Sequence, residues 1–154
     1  MSDNETELQQ LVDTLAQVEQ QIHAWEAQLE TLATVRTEIW QARTSLDGLR
    51  QESEGHEMLV PVGYNTSLFA TLGSKERVLT GLGSRVYMEA SLDEALERLQ
   101  TRLEEVEKAT RNYHESLAQL QNQHAQLRQR AEVLYAQAEA VKDSGSDFLI
   151  PGGR

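Results

Sequence analysis

The fold is decided by residues 57–90, EMLVPVGYNTSLFATLGSKERVLTGLGSRVYMEA, whose hydrophobic residues follow a two-residue period. Apolar side chains alternate with others in three runs, which are Leu68/Ala70/Leu72, Val78/Thr80/Leu82 and Val86/Met88. Such alternation is typical of half-buried strands. Turn-forming residues at Gly63-Tyr64-Asn65 and Gly83-Ser84 separate the apolar segments in pairs. The stretch therefore predicts two successive β-hairpins.

Glycine and proline are confined to this stretch, its borders and the end of the chain. Residues 1–47 and 84–144 contain neither of them. Because both residues interrupt regular structure, their absence indicates two long helices. The predicted fold class is mainly α, a long antiparallel coiled-coil helical hairpin with two β-hairpins inserted between the helices. The expected single domain has a first helix at 4–50, hairpins at 57–90, a second helix at 91–143 and a flexible tail at 144–154.

The first helix carries the stripe of a coiled coil, with apolar residues at alternating spacings of three and four. These residues are Leu8, Leu11, Leu15, Val18, Ile22, Trp25, Leu29 and Leu32. The same frame would then place Arg36, Arg43 and Arg50 in the seam. A shift of three residues restores an apolar seam at Val35, Ile39, Ala42, Leu46 and Leu49. We therefore predict a local overwinding at residues 32–39, and we expect Trp25 and Trp40 to pack in the core.

The second helix opens with a capping box, Ser91-Leu92-Asp93-Glu94, in which serine and glutamate bond each other's backbone amides. Its stripe is Leu92, Leu96, Leu99, Leu103, Val106, Thr110, Tyr113, Leu117, Leu120, His124, Leu127, Ala131, Leu134, Ala138 and Val141. Neither helix can bury its stripe alone. Because the insert between them is short, we expect the helices to pair antiparallel, with Leu46 near Leu96 and Leu8 near Leu134.

The predicted strands are too short and too few to form a stable sheet, and they leave open edges. Pro61 belongs on such an edge or at a bulge. We therefore expect the hairpins to complete their sheets with other subunits. The expected assembly residues are Leu59, Val60, Leu68, Ala70, Val78, Leu79, Val86 and Met88.

The composition excludes several classes of function. The chain has 154 residues and a formal charge of −11, so nucleic acid and anionic membrane surfaces are poor partners. It has no cysteine, which excludes disulfides, thiolate metal sites and a cysteine nucleophile. The polar start MSDNETELQQ is not a secretory signal, and no run of apolar residues could span a membrane. We expect a soluble, cytoplasmic protein.

Motifs for catalysis or cofactor binding are missing from the sequence. There is no phosphate-binding glycine loop, and we expect Gly81-Leu82-Gly83 to form part of a turn. The histidines His23, His56, His114 and His124 have no metal-ligand spacing. His124 lies in the predicted seam, where a packing or register role is expected. We predict neither an enzyme nor a cofactor or metal site.

Residues 59–96 resemble the signature region of the prefoldin alpha subunit. The matching segments are Val60-Pro61-Val62-Gly63, Val78-Leu79, Gly81-Leu82-Gly83 with Val86 and Glu89, and Glu94-Ala95. The resemblance implies an archaeal-type hexamer of two alpha and four beta subunits, with hairpins forming β-barrels and coiled coils extending from them. It also implies ATP-independent capture of non-native polypeptides and their transfer to a group II chaperonin.

The free ends of the two helices are the expected client-binding tips, because capture of many sequences needs adaptable apolar surface. The candidate residues are Leu8, Leu11, Val12, Leu15, Leu134, Tyr135 and Val141. Ordinary seam packing with fraying is the alternative interpretation. The tail residues Phe148, Leu149 and Ile150 are either a disordered segment or a contact for a client or partner.

Two functions from different classes follow from these observations. The first is a chaperone subunit whose partners are prefoldin beta subunits, non-native polypeptides and a group II chaperonin. The second is a structural coiled-coil spacer or adaptor, or a self-assembling prefoldin-like filament protein, without client transfer. A spacer needs no beta-type partner, so the subunit stoichiometry of the assembly discriminates between the two functions.

Overall fold

The computed structural model describes residues 3–146, and it confirms the predicted fold class of two long helices with two antiparallel hairpins between them. The elements are α1 (Asp3–Leu49), β1 (Glu57–Gly63), β2 (Thr66–Thr71), β3 (Val78–Gly83), β4 (Val86–Ala90) and α2 (Leu92–Ser146). α2 continues through Gly145, which was expected to belong to the tail. Within the described residues, neither helix combines the length and apolarity that crossing a bilayer requires.

The chain divides into two units. The terminal unit comprises Met1–Glu30 with Arg111–Arg154, and the hairpin unit comprises Thr31–Thr110. Each unit contains a segment of α1 and a segment of α2, and the hairpin unit also contains all four strands.

In the terminal unit, the two helical segments pack antiparallel through the predicted stripes. Trp25 meets Tyr113 edge to face, with ring centroids 6.1 Å apart and planes at 81°. This is a preferred aromatic geometry, which adds to the burial of both rings. At one end of the unit Arg130 donates a hydrogen bond to Glu7. Both contacts join the antiparallel segments of α1 and α2, about one helical turn away from the predicted alignment of Leu8 with Leu134.

His124 occupies a seam position in the same unit, as predicted from the sequence. Its Nε2 lies 2.9 Å from Oε1 of Glu19, and its side chain is only 24% exposed. A half-buried polar ring in an apolar seam stabilises less than a leucine, and its bond to an exposed carboxylate contributes little.

We expect His124→Leu to raise the free energy of unfolding by about 1 kcal/mol, because the seam gains apolar area that is removed from water. Thermal and urea denaturation followed by circular dichroism measure the change. His114→Leu is the matched control, since His114 is exposed on α2 and offers no such gain. Equal or lower stability of His124→Leu would show that the bond to Glu19 stabilises the seam more than leucine does.

In the hairpin unit, three arginines at heptad spacing contact α2; two of them lie on α1 and the third directly follows it. Arg36, Arg43 and Arg50 contact Glu107, Gln100 and Asp93, respectively. Both sets of residues recur every seven positions, so the three bridges lie on one side of the seam. The arginines therefore flank the seam instead of occupying it.

The predicted shift of frame in α1 is confirmed by the burial of its side chains. Ile39 is buried, and Val35, Ala42, Leu46 and Leu49 are half-buried, whereas Arg36 is exposed. The stripe of α2 is confirmed through Ala138. The expectation for Trp40 was wrong: its side chain is 61% exposed, because the residue follows the seam position Ile39 and is rotated out of the interface.

The capping box at the start of α2 is also confirmed. The amide of Ser91 donates to Oε2 of Glu94 at 3.1 Å, and the amide of Glu94 donates to Oγ of Ser91 at 3.2 Å. These bonds satisfy amides that the first helical turn leaves without partners. The helix thus begins directly after β4.

Candidate functional site

The two hairpins form separate two-stranded sheets, β1 with β2 and β3 with β4. In the first, Leu59 is opposite Phe69 and Val60 is opposite Leu68. In the second, Thr80 is opposite Met88. A two-stranded sheet is marginally stable alone, and in each hairpin both outer edges carry backbone groups that the partner strand does not bond.

Both hairpins are built in the same way, at an offset of 20 residues. Each has a register shift just before a glycine, between Pro61 and Gly63 in the first and between Gly81 and Gly83 in the second. The glycines have φ of +110° and +95°, respectively, which side chains rarely allow.

Each glycine is followed by a two-residue turn in which both residues have positive φ. The values are 44° and 56° for Tyr64 and Asn65, and 48° and 62° for Ser84 and Arg85. This pattern is typical of type I′ turns, whose twist matches that of paired strands. Only Asn65 is a residue type that favours this conformation, so the turns carry local strain that pairing of the strands must offset.

The predicted assembly residues all lie in the hairpins, and most of them are exposed to solvent. The exposed fraction is 61% for Leu59 and 70% for Leu79. Val60, Leu68 and Val86 are also exposed, whereas Ala70, Val78 and Met88 are half-buried. Exposed apolar side chains concentrated on small sheets mark an interaction surface.

Several exposed apolar residues of the hairpins were not predicted. They are Val62, Tyr64, Phe69, Leu82 and Tyr87. Phe69 is 76% exposed and lies on the opposite face from Leu68 and Ala70, so both faces of the first hairpin are apolar. The sequence offered a signal for Phe69, because apolar residues run consecutively from Leu68 to Ala70.

Charged residues flank the apolar face of the second hairpin. Arg77 makes two hydrogen bonds of 2.7 Å to the carboxylate of Glu89. The bond from Arg77 lowers the pKa of Glu89 below its ordinary value of 4.5, and the same bond raises the pKa of Arg77. Glu89 is opposite Leu79 in the ladder, so this ion pair lies beside an exposed apolar residue.

The predicted client-binding residues all lie in the terminal unit, but they differ in exposure. Leu11 is buried, and Leu8, Leu15 and Leu134 are half-buried in the seam. Val12, Tyr135 and Val141 are exposed at 50%, 57% and 69%, respectively. Of the seven predicted residues, only these three are exposed.

Val133 was missed, and it is 51% exposed beside the seam residue Leu134. Val141 is 69% exposed near the end of α2. The tail residues Phe148, Leu149 and Ile150 lie outside the described residues.

Metal binding has no support in the described part of the chain, where no group of three or more acidic, histidine or cysteine side chains could hold an ion. The candidate interaction surfaces are therefore the apolar faces of the hairpins and the exposed apolar residues near the ends of the helices.

Comparison with known proteins gives concordant results. Residues 18–137 match the family described as prefoldin subunit. Among curated proteins, the prefoldin subunit alpha of Pyrococcus horikoshii is 29% identical, over 86% of this chain and 90% of that protein. The prefoldin subunit alpha of Methanoregula boonei is 30% identical, over 88% of each.

A solved structure supports the same fold. A chain of filamentous PFD from Methanocaldococcus jannaschii, determined by cryo-EM, superposes with a TM-score of 0.66. The match covers 75% of this chain and 95% of that chain, at 20% sequence identity.

Proposed function

Because the chain belongs to the prefoldin family, we propose that it is an alpha-type subunit of a chaperone that captures non-native polypeptides without ATP. The proposed complex contains two alpha and four beta subunits and delivers its clients to a group II chaperonin in the cytoplasm. No nucleotide, metal, nucleic acid or membrane takes part in the proposed mechanism.

The observation that carries this proposal is the exposed apolar surface of two hairpins with open edges. Leu59, Phe69 and Leu79 are each more than half exposed, although they lie on strands. Pairing with strands of other subunits would bond the free backbone groups and remove these side chains from water. Assembly through the hairpins would leave the terminal unit of each subunit to contact clients.

Capture would rest on several weak apolar contacts presented together. In this subunit the contacts are the exposed Val12, Tyr135 and Val141, joined by Leu8, Leu11, Leu15 and Leu134 where the helices separate. Because each contact is weak, affinity arises from simultaneous binding of several subunits, and release needs no nucleotide. Exposed valine and tyrosine side chains accept many sequences, since apolar contact is not directional.

A second candidate function is a homomeric structural assembly. It is favoured by the likeness in fold to a chain of a filamentous PFD and by hairpins that could equally pair with copies of this chain. In that case the hairpins would join identical subunits, and no beta-type partner would be needed.

Native mass spectrometry at near-physiological salt discriminates between the two functions. The chain is measured alone and after co-expression with the beta-type prefoldin of its organism. We expect a mixed hexamer with two copies of this chain and four of the partner. A large homo-oligomer that excludes the partner would overturn the chaperone proposal in favour of the structural one.

A further inference from the structure

An ion pair crosses the seam of the terminal unit beside the predicted client-binding residues. The guanidinium of Arg130 on α2 donates a hydrogen bond to the carboxylate of Glu7 on α1, and both residues belong to the same unit. Glu7 directly precedes the half-buried Leu8, and Arg130 lies one helical turn before the half-buried Leu134. The ion pair therefore joins the two helices where their apolar seam is a candidate surface for clients.

The ion pair lies on a different flank of the seam from the exposed client-binding residues. Glu7 and Arg130 each directly precede a seam residue. Val12 and Tyr135 each directly follow one. Because an α-helix turns by about 100° per residue, positions before and after a seam residue point to opposite flanks. Breaking the ion pair therefore leaves the exposed apolar residues unchanged and alters only how easily the helices separate.

The contribution of this ion pair to closure of the seam is small but sufficient to change its opening. The side chains of Glu7 and Arg130 are 38% and 66% exposed, respectively. A pair this exposed changes an equilibrium by about twofold to fivefold. Helix ends open at a free-energy cost close to zero, so a factor of this size acts directly on the open population. Leu11 is buried and Leu8 and Leu15 are half-buried, so opening enlarges the accessible apolar surface.

We propose that the Glu7–Arg130 ion pair is a latch that limits the access of clients to the leucines of the seam. This inference rests on the proposed function, because it concerns the regulation of the same client-binding site. When the latch opens, the seam leucines add to the exposed apolar surface; they are Leu8, Leu11, Leu15 and Leu134. Because dissolved ions screen an exposed ion pair, a rise in ionic strength opens the latch.

Opening of the seam can be measured without a client, because the chain has no cysteine of its own. Leu11→Cys places a thiol at a buried seam position, so its reaction with a maleimide becomes faster as the seam opens more often. In this background we expect Arg130→Gln to raise the labelling rate about twofold to fivefold, as followed by mass spectrometry of this chain. Arg128→Gln is the matched control, because Arg128 is an exposed arginine whose partner, Glu132, lies on the same helix. Equal labelling rates in the two variants would overturn the proposal.

Exchange of the two charges tests the ion pair itself. Glu7→Arg alone should accelerate labelling, because two arginines then face each other across the seam. Adding Arg130→Glu should restore the slow rate of the parent Leu11→Cys chain. Labelling of that parent should also accelerate between about 0.05 M and about 1 M salt, whereas labelling of the Arg130→Gln variant should not respond. Failure of the exchanged pair to restore slow labelling would refute the latch.

Suppression of aggregation separates the latch from the proposed function. In the cysteine-free chain assembled with its partner, Arg130→Gln should lower the amount of complex that halves the aggregation of a denatured test protein by about twofold. Arg128→Gln should leave this amount unchanged. Faster labelling without better suppression would overturn the control of client access, because clients would then not use the seam leucines. Absence of suppression by the original chain would instead contradict the chaperone function and, with it, any role of the latch in capture.

Discussion

Leu79→Lys and Leu59→Lys are each expected to remove the chain from its mixed assembly while leaving both helices folded. Each leucine projects from a strand with more than 60% of its surface exposed. The substitutions therefore cost little in the free subunit, where a lysine at the same position is hydrated. In an assembled sheet the same position would be covered by another subunit.

The expected effect is large because two terms add. Loss of the covered leucine costs about 1.5–3 kcal/mol per interface. Covering an unpaired ammonium costs several kcal/mol more. Together they weaken association by roughly a thousandfold or more, since each 1.4 kcal/mol changes the dissociation constant about tenfold. In native mass spectra, the hexamer should disappear at micromolar protein.

Gln121→Lys is the matched control for these variants, since it makes the same change of charge at an exposed position of α2 in the terminal unit. It should assemble like the unmodified chain. Circular dichroism of each variant checks that the helices persist. Full assembly of both Leu59→Lys and Leu79→Lys would show that these faces stay in water and that the hairpins do not mediate assembly.

Replacing Val12, Tyr135 and Val141 together with glutamine is expected to impair suppression of aggregation without affecting assembly. These three are the exposed members of the predicted client-binding set, so their replacement leaves the buried seam intact. Because client affinity depends on several contacts acting together, a modest loss at each is multiplied. We expect about a threefold to tenfold increase in the hexamer needed to halve the aggregation of a denatured test protein.

Trp40→Gln controls for the loss of exposed apolar surface in general. Trp40 is more exposed than Val12 or Tyr135 but belongs to the hairpin unit. Suppression should be unchanged by this variant. Normal suppression by the triple variant would refute client binding at these residues, as would equal loss in both variants.

The helical part of the fold could be predicted because seam burial is periodic. The apolar stripes, the change of frame after Leu32 and the capping box at Ser91 all depend on residues close in sequence. The bridges from Arg36, Arg43 and Arg50 to α2 could not be inferred in the same way. Their partners are fixed by how the two helices lie in the unit, and a charged residue one position off a seam has many possible partners.

The exposure of Trp40 and Phe69 shows a different limit of predicting burial from the sequence. Both are large apolar side chains next to residues of a buried or half-buried stripe, where a core position and a surface position differ by a single step. Hydrophobicity favours burial, but the period of the helix or strand turns these side chains outward. The exposed Trp40 and Phe69 side chains mark places where an apolar surface is available to another molecule.

The common construction of the two hairpins gives the chain an internal duplication. Positions of the first hairpin correspond to those of the second 20 residues later, from Gly63 and Gly83 at the turns to Ala70 and Ala90 near the strand ends. A subunit with two equivalent modules has a valence of two. In the proposed assembly it would join two neighbours at once and continue a series of subunits, whereas a chain with a single hairpin would end the series.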